Sequence, residues 1–189
     1  MPTPRTRKFL TAYCHEVQFY ADDASFLVDL TSFFEAALKA GNALVVVATE
    51  SHRTGLRQRL QAHGVDVASA IEQGRYRPLD AAEMLSTFME SAGPNRERFL
   101  STLGPLIHRA ETAAEVGHKK VVMFGEMVSL LCAEGRIGAA IELERLGNEV
   151  IAQTPFLCVR CAYPMTEELK GEPYAAICAE HSSVLPLET

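Results

Sequence analysis

No uninterrupted apolar run in this sequence approaches the roughly 20 residues that a membrane-crossing helix requires. The first twenty residues also lack the apolar core of a signal peptide. A cytoplasmic protein with no membrane partner is therefore expected. Positive charge is in short supply: 18 Lys and Arg face 24 Asp and Glu, for a formal charge of −6. Such a chain offers no broad basic field to gather nucleic acid, and none is expected as a partner. Arg5, Arg7 and Lys8 make a basic start, but segment 1–13 reads as a flexible, solvated tail.

The signatures of phosphate chemistry and of nucleophilic catalysis are missing as well. There is no G-x-x-x-x-G-K-[ST] loop, no G-x-G-x-x-G and no G-x-S-x-G. The stretch after the first strand reads ADDASF, where two aspartates would repel a triphosphate. No catalytic motif appears, so neither an enzyme nor a cofactor is expected. No internal repeat, low-complexity tract or long linker divides the chain, so residues 14–189 are expected to form one domain.

Cysteine is present but offers no framework. Cys14, Cys132, Cys158, Cys161 and Cys178 are odd in number and scattered. In a reducing compartment they read as small apolar fillers rather than disulfides. Cys158 and Cys161 form a C-x-x-C inside a predicted strand, where positions three apart point to opposite faces. Cys178 and His181 share a helix face, and Cys14 and His15 precede the first strand. With no second spaced pair to join them, no metal is expected.

What is present is an alternation of strand and helix. Residues 16–20 (EVQFY) form a short strand, and Asp22 and Asp23 are suited to capping the next helix. Phe26, Leu27, Leu30, Phe33, Phe34, Ala37 and Leu38 recur at helical spacing until Gly41. The run 43–48 (ALVVVA) is apolar throughout, as in a strand buried on both faces of a parallel sheet. A helix over 50–63 ends at Gly64, and a short strand follows over 76–79. Asp80 caps a helix over 81–90, broken by Gly93-Pro94. Another helix spans about 95–116, with Gly104-Pro105 expected to kink or interrupt it. Residues 121–124 (VVMF) give a second buried strand, 137–152 a helix, and 156–162 a third central strand stopped by Pro164. A last helix over 173–181 and an edge strand over 184–187 complete the pattern. Right-handed crossovers then give an α/β, three-layer sandwich with a mostly parallel central sheet. Ligands are expected beyond the carboxyl ends of its strands.

The residues leaving those strands are the first candidates for a site. Tyr20, Asp22 and Asp23 follow the first, and Thr49, Glu50, Ser51 and His52 the second. Gly125 and Glu126 follow the VVMF strand, and Tyr163 and Pro164 the last. Over an apolar floor they would make a small-molecule pocket; read blandly, they are loop residues and helix caps. Glu126 is the sharpest, a carboxylate at the rim of a core that is suited to a polar ligand group or to starting a helix. On the helix over 137–152, Ile137, Ile141, Glu144, Asn148 and Ile151 fall within about 80° of one another. Glu144 and Asn148 thus sit on an isoleucine stripe, where polar groups need partners. A structural pair tying the helix to the sheet is the favoured reading.

The ordered set of motifs resembles one family. His15-Glu16-Val17-Gln18-Phe19-Tyr20 with Asp22-Asp23 is similar to the H-x-x-x-F-Y-x-x-[DE] opening of MEDS domains, the methanogen/methylotroph sensory domain of the DcmR regulator. Gly125-Glu126-Met127 resembles its G-E-M step, Glu144 and Asn148 its E-x-x-x-N helix, Cys161-Ala162-Tyr163 its C-x-Y strand end, and Ile177-Cys178 to His181 its closing I-C-x-x-H helix. The match spans about 14–186. The resemblance implies a RecA/KaiC-like core without the phosphate loop, and the sensing of small hydrocarbon derivatives. It makes His15, Tyr20, Glu126, Glu144, Asn148, Tyr163 and His181 candidates for one polar cluster near the strand ends. In the family the domain is often joined to a histidine kinase or a DNA-binding domain. Neither is legible here, so a solitary sensor that relays its state to a signalling protein or to another copy of itself is expected. The alternatives are a nucleotide-binding ATPase relative and a ligand-free signalling interaction protein.

Overall fold

The run ALVVVA needs cover on both faces, and it receives it: every residue of β2 (Ala43–Ala48) is buried. The computed structural model describes residues 14–115 and 120–186. The expected tail 1–13, Val116 and Leu187 lie outside them. The described strands are β1 (Cys14–Tyr20), β2, β3 (Tyr76–Asp80), β4 (Val121–Gly125), β5 (Leu157–Pro164) and β6 (Ser183–Leu185). They pair in the order β3-β2-β4-β5-β1-β6, and each pairing is parallel. The all-parallel sheet flanked by helices is the three-layer α/β sandwich expected.

Strand order dictates which helix covers which face. From β1 to β2 and from β2 to β3 the chain moves one way across the sheet; from β3 to β4, β4 to β5 and β5 to β6 it moves the other way. Right-handed crossovers then put the first set of helices on one face and the second set on the opposite face. Accordingly α1 (Asp23–Lys39), α2 (Glu50–Ala62) and α3 (Val67–Glu72) pack Phe26, Leu30, Phe34, Leu56 and Val67 against Leu44, Val46, Val122 and Phe124. On the other side lie α4 (Ala81–Ser86), α5 (Arg96–Ala113), α6 (Met127–Ala133), α7 (Ile137–Ala152) and α8 (Glu172–Ala179). They bury Leu85, Leu103, Leu131, Leu143 and Ile177 against Val45, Val47, Met123, Cys161 and Tyr163. Alternate residues of each central strand feed the two cores, as the pleat requires. Neighbouring β2 and β4 depart in opposite directions, and the crevice at their carboxyl ends is the switch point where such folds bind ligands.

Several local expectations shift. Asp22 and Asp80 cap α1 and α4, each side chain accepting from two backbone N–H groups. Gly41 follows α1 with φ +77°, which suits a residue without Cβ. Helix α4 stops at Ser86 rather than reaching residue 90. Ser86 and Thr87 turn their hydroxyls back onto Glu83 and Met84 carbonyls, an alternative to continuing the helix. Pro105 does not interrupt α5. Gly104 before it has no Cβ to clash with the ring, and both residues face solvent. Helices α3 and α6 are not legible as separate elements in the sequence, being only six and seven residues long. Cys14 and Cys158, opposite one another in the β1–β5 register, are joined as a disulfide. That corrects the reading of these two cysteines as free fillers.

Candidate functional site

Polar groups expected to form one cluster separate into two, on opposite faces of the sheet. The first lies at the β2–β4 switch point, on the α1–α2 face. Glu126 leaves β4 only 1% exposed. Its Oε2 accepts from the Thr49 backbone N–H at 2.8 Å, and its Oε1 faces His52 Nδ1 across a short contact. His52 Nε2 lies 3.6 Å from Asp23 Oδ1. The Glu126 hydrogen bond raises the His52 pKa above its ordinary value, outweighing burial, and the Asp23 charge acts in the same sense. Tyr20 stacks on Phe26 at 4.2 Å. Burial, followed by the charges of Glu126 and Asp23, drives its phenol pKa upward. Asp22 is an exposed cap of α1. A space of about 10 Å³ lies beside Tyr20 and Asp22.

The second cluster sits beneath the other face. His15 and Cys161 belong to β1 and β5, whose register pairs Val17 with Cys161; residues 15, 17 and 161 therefore share a face. From helix α7, Glu144 reaches down to them with 2% exposure. Its Oε1 accepts the Tyr163 hydroxyl at 2.6 Å. Its Oε2 lies 3.2 Å from both His15 Nε2 and Cys161 Sγ. His181, just past α8, brings Nε2 to 3.5 Å from Oε1, and its ring lies 4.1 Å from that of His15. Asn148 completes the group: His15 Nδ1 donates to Asn148 Oδ1 at 2.7 Å, and Asn148 Nδ2 donates to the Glu180 carbonyl at 2.9 Å. Glu144 and Asn148 thus tie α7 to the sheet through His15.

Electrostatics here centre on Glu144. Burial pushes its carboxyl upward, but His15 and His181 more than offset that and hold it well below the usual carboxylate range. Burial would lower His181, and Glu144 raises it instead. Burial and then the Glu144 charge drive both the Cys161 thiol and the Tyr163 phenol well upward.

This cluster forms one wall of a cavity of about 50 Å³ between the sheet and α5, α6 and α7. Phe99, Leu103, Ile107, Met123, Val128 and Leu143 line most of it, while His15, Glu144 and Cys161 supply its polar end. A few convergent polar groups on an apolar wall are what a small-molecule site needs.

Of the sequence candidates, Tyr20, Thr49 and Glu126 meet at the switch point, while Asp22 only caps a helix nearby. His15, Glu144, Asn148, Tyr163 and His181 meet on the opposite face. His15 lies at the start of its strand, so its cluster lies under the sheet rather than along its carboxyl edge. His52 and Cys161 are the partners that sequence reasoning left unassigned. His52 stood only among the residues leaving the second strand, and Cys161 passed for a buried filler. Tyr163 and Cys161 are two apart in one strand, the spacing that puts both on one face.

The chain is thus a doubly wound parallel domain with a buried polar cluster beside an apolar cavity. The family model of the methanogen/methylotroph DcmR sensory domain, MEDS, matches residues 14–182, and the chain belongs to that family. No curated protein matches it. Among the described residues, no helix is long and apolar enough to cross a membrane.

Proposed function

We propose that this sensory domain admits a small organic molecule into the cavity between the sheet and helices α5, α6 and α7. It then relays the occupied state through contact with a signalling protein or a second copy of itself. The observation that carries this reading is the cavity itself, apolar over most of its wall and closed at one end by His15, Glu144 and Cys161. One ordered water needs roughly 10–15 Å³, so about 50 Å³ suits a guest of few non-hydrogen atoms. An apolar wall favours a short carbon chain, and the polar end favours one hydroxyl, amine, thiol or halogen on it. This is the size and chemistry of the small hydrocarbon derivatives that the family resemblance implies.

Nucleotide binding ranks below this reading. Glu126 spans the switch-point crevice where a nucleotide would be expected, and Asp22 and Asp23 add charge of the wrong sign for a phosphate. A ligand-free interaction protein would have no need of the cavity.

The test is a thermal-shift screen with neutral and basic compounds of about one to four carbons. A ligand that binds only the native state raises the melting temperature with concentration. Leu103→Phe, which projects a larger ring into the cavity, is expected to abolish the response while the protein stays folded. No response from any compound, or an undiminished response in Leu103→Phe, would contradict the proposal. Calorimetry with ATP and magnesium covers the competing reading, which micromolar binding would restore.

A further inference from the structure

His15, Glu144, Cys161 and His181 come from β1, α7, β5 and the end of α8, and each offers an atom that binds metals. These atoms lie within 4.8 Å of one another. A tetrahedral ion with bonds of roughly 2.0–2.3 Å holds its ligand atoms about 3.3–3.8 Å apart. Here His15 Nε2 and Glu144 Oε2 are 3.2 Å apart, Cys161 Sγ and His15 Nε2 are 3.5 Å apart, and His181 Nε2 and Glu144 Oε1 are 3.5 Å apart.

Outer partners orient both rings. His15 Nδ1–H donates to Asn148 Oδ1, and His181 Nδ1–H donates to the Ile177 carbonyl at 2.7 Å. Each ring therefore turns Nε2 inward toward Glu144, the orientation that metal-binding histidines adopt. The His181 side chain is fully buried, and its Nε2 makes no hydrogen bond, with Glu144 Oε1 as its neighbour at 3.5 Å. Two inward ring nitrogens, a carboxylate and a sulfur make one mixed donor set. One divalent ion answers all four groups at once.

We propose that His15 Nε2, Cys161 Sγ, Glu144 and His181 Nε2 bind one divalent transition-metal ion of the zinc kind at the polar end of the cavity. A nitrogen, sulfur and oxygen donor set suits such an ion better than magnesium or calcium. Coordination expels the thiol proton to solvent and leaves a metal-bound thiolate. Three of the four ligands line the cavity, so a guest with a lone pair meets a Lewis-acidic contact there. That last step rests on the sensing reading; the ion's binding does not.

The test is titration of the chelator-stripped full chain with Co²⁺, followed by absorption. The expected result is saturation near one equivalent, strong visible bands of a tetrahedral ion and a near-ultraviolet sulfur-to-cobalt band. Cys161→Ser should lose the sulfur band, and Cys132→Ser should keep it. A weak octahedral spectrum, saturation far below one equivalent, or a sulfur band that survives Cys161→Ser would overturn the site. Should Cys161→Ser not fold, His181→Gln decides in its place, with at least about a tenfold loss of Co²⁺ affinity expected and unchanged affinity contradicting the site. Thermal shifts with small amines and thiols, run with and without Zn²⁺, separate the two readings. Stoichiometric metal with no guest response keeps the site and sinks the sensing reading. A guest response that Zn²⁺ leaves unchanged keeps the sensing and overturns the ion's part in it.

Discussion

Glu126 and Glu144 are both buried carboxylates facing histidine, yet they are built for different ends. Glu126 has one fixed donor for each oxygen, the Thr49 backbone on one side and His52 on the other. It clasps the carboxyl ends of two neighbouring strands. Glu144 gathers two histidines, a tyrosine and a cysteine from elements far apart in the chain, and it borders open space. A satisfied carboxylate at a switch point is a fastening; a carboxylate with several partners beside a cavity is the polar end that the proposed receptor role requires.

Replacement by alanine should show the contrast most strongly. Glu144→Ala leaves two buried histidines and a tyrosine hydroxyl without their common partner. A loss of about 3–5 kcal/mol in unfolding free energy is expected, of the order seen when one member of a buried ion pair is removed. Urea denaturation measures it, and a loss below about 1 kcal/mol would show that water already serves the cluster. Glu126→Gln keeps an acceptor for the Thr49 N–H and removes only the charge facing His52. About 1–2 kcal/mol is expected from weakening one charge-assisted bond, with any small-molecule response intact.

The clasp also has a pH signature. The folded-state pKa of His52 lies above its ordinary 6.5, so the protonated ring stabilises the fold fully below that value. The contribution fades as pH rises through the raised folded pKa. Comparing wild type with His52→Gln across pH 6 to about 9, the stability gap should narrow with rising pH. In a Glu126→Gln background the slope should largely vanish. A gap that widens would reverse the assigned cause. Smallest of all is Gly147→Ala. The added Cβ would meet only His15 Cε1, at 3.9 Å, while helix α7 gains from losing a glycine. A stabilisation of up to about 1 kcal/mol is expected, and because Gly147 borders the cavity, small-molecule responses should change more than stability does.

Physical pattern made some of this legible in the sequence and hid the rest. ALVVVA and VVMF declared central strands because only burial on both faces tolerates such runs. Glu144 and Asn148 stood out because polar groups on an isoleucine stripe demand partners. Their partners did not stand out: His15 and His181 are 166 residues apart, and only strand order and the α8 packing bring their rings together. Family motifs linked those residues without saying which face they share. Strand-end reasoning foresaw the Thr49–Glu126 meeting but not the cavity, which depends on how side chains of α5, α6 and α7 fill the space over Met123. Pairing of Cys14 with Cys158 followed from β1–β5 register, which no spacing rule discloses.

The most direct measurement is methyl-labelled NMR of the chain titrated with a responding small molecule. Shifts confined to methyls of Leu103, Ile107, Met123, Val128 and Leu143, with Leu30, Val46 and Leu56 on the other face unmoved, are what the account predicts. Perturbation centred on the α1–α2 face, or spread evenly over the surface, would contradict it.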